Sequence, residues 1–360
     1  MIPIAKPLLG KEEIDAVTEV LSSGMIAQGP KVDEFELAFS EYTGCEYSAA
    51  VNSGTAALHI ALLAHGIGKG DDVITTPFSF IATANSVLYT GAKPVFADIE
   101  PETYNIDPEK IKEKINSKTR AIIPVHLYGH AADMKAIMEI AEDSKLVVVE
   151  DACQSHGAAC QGKKVGSFGT GAFSFYPTKN MTTSEGGMLT TNDKEVAEKA
   201  KMIRAHGSKV RYLHEMLGFN LRMTDIAAAI GLVQLGKLDK FTAARQKNAE
   251  MLSKGLRDIP GITPSITKPG YTHVFHQYTV RAKQRDEFAA FLKTRDIGSG
   301  VHYPIPIHKQ PLYKELGYTD SLPVSEKAVE EVLSLPVHPA LSEKDVQTII
   351  AATKEFYLKT

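Results

Sequence analysis

The sequence predicts an α/β fold, a mainly parallel sheet between helices, followed by a smaller α+β C-terminal lobe. Three observations carry this. From about residue 46 to 200, short β-branched runs alternate with helix-like stretches, the pattern of right-handed βαβ units. The runs Ala121-Ile122-Ile123-Pro124-Val125 and Leu146-Val147-Val148-Val149 lack polar alternation, as strands covered on both faces do. The chain of 360 residues exceeds the length at which a single core stops growing. Two domains are therefore expected, 1–240 with the sheet and an N-terminal arm, and 241–360.

In chain order, strands are predicted over 47–51, 72–76, 94–98, 121–125 and 146–150, with helices over 55–65, 79–89, 108–115 and 134–142 between them. A further strand is expected over 186–191 and a helix over 196–204. A long helix over 226–252 then leads to the turn Asp258-Ile259-Pro260-Gly261. A strand over 276–281, a helix over 286–293 and a Pro-rich loop over 303–311 follow. Ser342 is a suitable N-cap for a last helix reaching about residue 357. No repeat or long linker separates the lobes, so a wide shared interface is expected.

Composition excludes several classes. A net charge of -3, with Lys and Arg dispersed, gives no electrostatic case for nucleic acid or an anionic membrane. No apolar run approaches the about 18 residues that span a bilayer, and Met1-Ile2-Pro3-Ile4-Ala5-Lys6 is not built like a secretory signal. Cys45, Cys153 and Cys160 have no CxxC spacing, which suggests a reducing, cytoplasmic compartment. No metal site is expected. His126-Leu127-Tyr128-Gly129-His130 follows a strand into a turn and lacks the Glu of the helical zinc motif. Gly166-Ser167-Phe168-Gly169-Thr170-Gly171 does not fit GxGxxG, and no GxxxxGK[ST] run exists.

Ligands of open parallel sheets gather beyond the carboxyl ends of the strands, and four groups fall there. Asn52-Ser53-Gly54-Thr55-Ala56-Ala57-Leu58 opens an apolar helix, either as a phosphate cup of N–H groups and the Thr55 hydroxyl or as an ordinary N-cap. Asp151 ends a buried strand, where a carboxylate is costly unless paired. A protonated pyridine nitrogen would pair it; capping of the next segment is the plainer reading. Phe78 and Phe80 follow the strand ending at Thr76 and offer either a flat face for a ring or core packing. Lys179 follows the run Phe173-Ser174-Phe175-Tyr176-Pro177-Thr178, where partial burial lowers an amine's pKa and frees it as a nucleophile toward carbonyls. A lysine, an acid, a phosphate cup and a stacking face together make a pyridoxal phosphate site.

Over nearly its whole length the chain also resembles the DegT/DnrJ/EryC1/StrS sugar aminotransferases, within fold-type I of the pyridoxal phosphate-dependent transferases. The motifs are Asn52-Ser53-Gly54-Thr55-Ala56-Ala57-Leu58, Glu150-Asp151-Ala152-Cys153-Gln154, Ser174-Phe175-Tyr176-Pro177-Thr178-Lys179-Asn180, Glu185-Gly186-Gly187, Gly218-Phe219-Asn220-Leu221-Arg222-Met223 and Val301-His302-Tyr303-Pro304. The resemblance implies a seven-stranded sheet and a homodimer with the active site at its interface. Lys179 would form the Schiff base and Asp151 would hold the pyridinium proton. Gln154 would bond the 3-hydroxyl, Thr55, Ala56 and Ser174 the phosphate, and Phe80 would stack on the ring. Asn220 would reach the phosphate from the second subunit. Arg222, His302 and Tyr303 would meet the substrate. Cys153 and Ser184 replace residues that are commonly small and non-sulfur, or glycine, in the family.

The implied reaction passes an amine from glutamate or glutamine, by way of pyridoxamine phosphate, to a keto group of a nucleotide-activated sugar for surface polysaccharide or glycan biosynthesis. The segment 301–311 resembles members that aminate C3 of 3-keto UDP- or dTDP-sugars; amination of a 4-keto sugar is the alternative. Dehydratases of the family carry histidine where Lys179 stands, and a non-catalytic regulatory protein would have no need of the intact set Lys179, Asp151, Gln154 and Ser174.

Overall fold

The computed structural model describes residues 1–358. Its centre is a seven-stranded sheet of β1 (Tyr47–Val51), β2 (Asp72–Thr75), β3 (Lys93–Phe96), β4 (Thr119–Ile123), β5 (Val147–Asp151), β6 (Thr170–Ser174) and β7 (Gly187–Thr191). The spatial order is β1-β7-β6-β5-β4-β2-β3. All neighbours run parallel except β7, which is antiparallel to both β1 and β6. The expected mainly parallel sheet is therefore present, with small changes in strand ends. β4 stops at Ile123 rather than residue 125 because Pro124 has no N–H for the ladder.

Alternate strand residues enter two different cores. Ala50, Ile74, Ile122, Val148, Phe173 and Met188 pack on one face, and Ala49, Val73, Ala121, Val149, Ala172 and Leu189 on the other. Period-2 alternation is thus real but has no polar partner, because helices cover both faces. The first face is covered by α2 (Pro30–Thr43), α6 (Met134–Ser144) and the start of α8 (Asp225–Leu256), the second by α3 (Gly54–Ala64) and α7 (Lys194–Ile203). Shorter α4 (Ala82–Tyr89) and α5 (Pro108–Lys112) complete the crossovers, and α1 (Lys11–Ser23) lies against α8. Neither α1 nor α2 is expected from the sequence. The N-terminus of α2 is capped from far along the chain, where Asp225 accepts from the N–H groups of Gly29, Lys31 and Val32 at 2.8, 3.2 and 3.0 Å.

The predicted helix 226–252 extends to Leu256, and its final turn buries Leu252 and Leu256 in a third core. That core lies against an antiparallel sheet of β8 (Ile262–Thr263), β9 (Tyr278–Ala282) and β10 (Val332–Leu335). It is closed by α9 (Arg285–Thr294) and α12 (Glu343–Leu358). Between them, α10 (Pro311–Glu315) and α11 (Pro323–Glu331) return toward the large sheet, where Asp98 accepts from the Val324 and Ser325 N–H groups, both at 2.9 Å. The lobe boundary we propose, at residue 240, lies inside α8.

One buried carboxylate sets the connection between β5 and β6. Glu150 accepts from the N–H groups of Gly166, Phe168 and Gly169 at 2.8, 2.8 and 2.9 Å, and from His126 Nε2 at 3.1 Å. His126 Nδ1 accepts from Ala132 N–H at 3.0 Å, so its one proton sits on Nε2 and the ring is fully used in hydrogen bonding. Glu150→Ala strands these buried donors, each costing about 1–3 kcal/mol. A loss of at least about 3 kcal/mol is expected in urea unfolding; an unchanged midpoint would contradict this account.

Candidate active site

A cavity of about 480 Å³ opens at the carboxyl ends of β1, β5 and β6 and reaches across to the C-terminal lobe. Thr55, Phe80, Asp151, Gln154, Ser174, Lys179, His302 and Tyr303 line it. Three other residues singled out in the sequence, Ala56, Asn220 and Arg222, do not. The Ala56 N–H is taken by the Ser53 hydroxyl at 3.1 Å, an ordinary N-cap. Asn220 and Arg222 follow an exposed hairpin, Ser208–Val210 with Leu213–His214, and bridge through their backbones to Ala205 and Val51.

Lys179 stands in the turn after β6, where its N–H donates to the Tyr176 carbonyl at 2.9 Å. Its ammonium has no hydrogen bond or ion pair among the described residues. Burial lowers its pKa, with the Cys153 and Asp151 charges opposing. Asp151 is 5% exposed and equally without a cation. One carboxylate oxygen accepts from the Thr83 hydroxyl at 2.7 Å, the other from Cys153 N–H at 3.2 Å. A lysine and a buried carboxylate therefore share one cavity without pairing, a costly arrangement for each. A ring with a protonated nitrogen at one end and a carbonyl at the other matches both.

The remaining walls suit the same group. α3 begins so close to β6 that a Cβ on Gly54 would lie 2.6 Å from Ser174 Cβ and 2.8 Å from Cys153 Sγ, which keeps the helix N-terminus beside the Thr55 and Ser174 hydroxyls. Gln154 accepts from Tyr128 N–H at 2.9 Å and donates to the Tyr303 hydroxyl at 3.3 Å, leaving its second amide proton for a ligand oxygen. Phe80 is 56% exposed at the mouth, its ring 6.0 Å from that of Tyr303. Phe78 is fully buried against Tyr104 and belongs to the core.

Several contributors carry no local signal. Tyr128, with φ 58°, aims its N–H at Gln154 and donates its hydroxyl to the His302 carbonyl. His276 and Gln277 also line the cavity, though the sequence marks them only as the start of a strand. Burial above all, then the Lys179 charge, pushes the His302 pKa down to about 4; burial raises that of Tyr303.

His156 is fully buried between Phe173 and Phe175, and among the described residues no well-formed hydrogen bond reaches either ring nitrogen, the Ser174 backbone being the polar group beside the ring. Burial, followed by the Lys179 charge, pushes its pKa down to about 3 from 6.5. The unfolded chain then takes up the proton first as pH falls. The associated stability is complete above pH 6.5 and is lost as pH falls toward 3. His156→Phe removes this, so its stability relative to the parent should improve by roughly 2 kcal/mol from about pH 7.5 to about pH 5. Parallel pH profiles of urea unfolding would refute it.

An open α/β sheet with an unpaired lysine and an unpaired carboxylate facing one cavity defines a transferase of the pyridoxal phosphate-dependent fold class. Residues 7–354 match the model of the DegT/DnrJ/EryC1/StrS aminotransferase family. The chain belongs to that family and is an aminotransferase. It is 46% identical to a "Pleiotropic regulatory protein" of Geobacillus stearothermophilus, covering 97% of this chain and 95% of that one. It is 40% identical to the dTDP-3-amino-3,4,6-trideoxy-alpha-D-glucose transaminase of Streptomyces venezuelae, covering 95% and 91%. The crystal structure of S. venezuelae DesV in complex with a ketimine intermediate superposes with a TM-score of 0.94 at 39% identity, covering 96% and 94%. Spr1654 from Streptococcus pneumoniae in its PLP-form gives 0.94 at 29% identity, covering 99% of both chains. Among the described residues no helix is long and apolar enough to cross a membrane.

Proposed function

We propose that this aminotransferase uses pyridoxal phosphate to move an amino group from glutamate or glutamine to a keto group of a nucleotide-activated sugar, at C3 of a 3-keto UDP- or dTDP-sugar. The observation that carries the reading is the pair Lys179 and Asp151, both lining one cavity and neither ion-paired among the described residues. When bound, the cofactor supplies an aldehyde to hold an amine and a ring to accept electrons. Lys179 would hold that aldehyde, and its amine, when free, would be the group placed to carry a proton to and from the donor's α-carbon. Its lowered pKa favours the unprotonated amine that this work needs.

Asp151 keeps the ring nitrogen protonated, oriented by the Thr83 hydroxyl. Gln154 donates to the ring's hydroxyl oxygen. Thr55 and Ser174 would hold the phosphate, without Ala56, whose N–H is already taken by the Ser53 hydroxyl, and Asn220 of the partner subunit would complete the site across a homodimer interface. Phe80 would cover one ring face, His302 and Tyr303 would meet the substrate, and Arg222, on the same loop as Asn220, would meet it from the second subunit. The exposed apolar residues Tyr212 and Leu217, at 80% and 83%, support the hairpin before Asn220 as part of that interface. The free cysteines support a cytoplasmic location.

The C3 assignment is supported by segment 301–311 and by the activity named for the S. venezuelae relative. Product analysis with glutamate and either a 3-keto or a 4-keto nucleotide sugar tests it; turnover of the 4-keto sugar alone would transfer the assignment to C4. A regulatory role, suggested by the name of the Geobacillus relative, is the second reading. Purified protein that neither takes up pyridoxal phosphate nor turns over any sugar would favour it.

A further inference from the structure

The proton on His302 can be located from its neighbours. His302 Nδ1 lies 3.0 Å from the Ser334 hydroxyl on β10. A serine hydroxyl has one proton and two lone pairs. The Ser334 proton goes to Gln277 Oε1 at 3.1 Å. With that proton spent, Ser334 can only accept from the ring, so His302 Nδ1–H donates to it; the Thr279 hydroxyl lies 2.9 Å from Ser334 on β9. Ser334 is fully buried and stands opposite Thr279 in the β9–β10 ladder, so the backbone fixes its position. The other end of the residue is pinned as well, by the Tyr128 hydroxyl on the His302 carbonyl. Among the described residues the one side-chain hydrogen bond of His302 is at Nδ1, which leaves Nε2 unused, and His302 lines the cavity.

We propose that Ser334 is a positioning residue that locks His302 in the Nδ1–H tautomer, so that Nε2 presents a lone pair to the cavity and accepts a hydrogen bond from a hydroxyl of the sugar substrate. The hydroxyl contact rests on the sugar reading above; the tautomer does not. Burial and the Lys179 charge disfavour a second proton on the ring. A neutral acceptor attracts a donor such as a hydroxyl and offers nothing to a phosphate or a carboxylate. The site would thereby tell a hydroxylated sugar carbon from a deoxygenated one, since an unmet acceptor in a closed site is costly.

Long-range 1H–15N NMR of 15N-histidine-labelled protein without substrate reads the tautomer directly, with His302→Gln assigning the signal. The expected result is a protonated Nδ1 and an unprotonated Nε2; the reverse overturns the proposal. Ser334→Ala should give exchange-averaged nitrogens, and Ser334→Thr, which keeps the hydroxyl, should restore the single tautomer. An unmixed tautomer in a folded Ser334→Ala protein would overturn the lock. With the sugar substrate, Ser334→Ala should raise KM about five- to tenfold, the worth of one hydrogen bond, and leave kcat within about twofold. A fall in kcat at constant KM would overturn the recognition role. The expected tautomer without turnover of any nucleotide sugar would overturn the hydroxyl contact together with the sugar reading, and leave the lock supported.

Discussion

Lys179→Ala is expected to lose at least about 10⁴-fold in transamination, since one substitution removes both the nucleophile and the proton carrier. Borohydride treatment followed by denaturation should leave cofactor attached to the parent and none to the variant. The fold should survive. Among the described residues the amine makes no hydrogen bond or ion pair, and burial already penalises its charge. The ligand-free variant should therefore melt no lower than the parent. Lys179→Arg separates chemistry from charge, because a guanidinium remains protonated and cannot serve as a nucleophile. It should be as inactive as the alanine variant. Retained turnover in either would overturn the assignment of Lys179.

Asp151→Asn is the second large expected effect, about 10²–10³-fold in turnover, comparable with removing one preorganised charge at a reacting centre. Its signature is an opposition between stability and activity. Among the described residues Asp151 is buried without an ion pair, held by the Thr83 hydroxyl and by Cys153, so without cofactor its charge is only partly compensated, by Lys179 across the cavity. The asparagine variant should melt higher than the parent when ligand-free. Added pyridoxal phosphate should stabilise the parent more than the variant, because stabilisation follows affinity for the folded state. Equal stabilisation of both proteins would show that Asp151 does not meet the ring nitrogen. Thr83→Val, which keeps the carboxylate and removes its orienting hydroxyl, should have a smaller effect on turnover.

Parts of the site were legible in sequence because short motifs sit where strands end. Asp151 comes after the apolar run Leu146-Val147-Val148-Val149, with Glu150 between, and Lys179 comes just after an aromatic run. Period alone could not separate Phe78 from Phe80. They are two positions apart, and an irregular loop rather than strand pleating sends one into the core and the other to the mouth. Helix α2 was missed although Val32, Phe35 and Phe39 form its buried face, since its cap, Asp225, is 196 positions from Gly29. Tyr128 and Ser334 escaped notice for a similar reason. Each acts on a group brought near only by folding, with Tyr128 reaching His302 across 174 positions.

The sequence by itself determined the parallel α/β class and pointed to Lys179 and Asp151 as the reactive groups, while Gln154 and Ser174 came from the family resemblance. Neighbouring residues suffice to set strand ends, turns and the reactive groups that follow them. Only the tertiary structure decided that the lysine and the carboxylate share a cavity without pairing, and that His302 offers a lone pair rather than a proton. Pairing and protonation depend on which distant groups lie within hydrogen-bond reach, and that is settled by packing across the sheet and the C-terminal lobe.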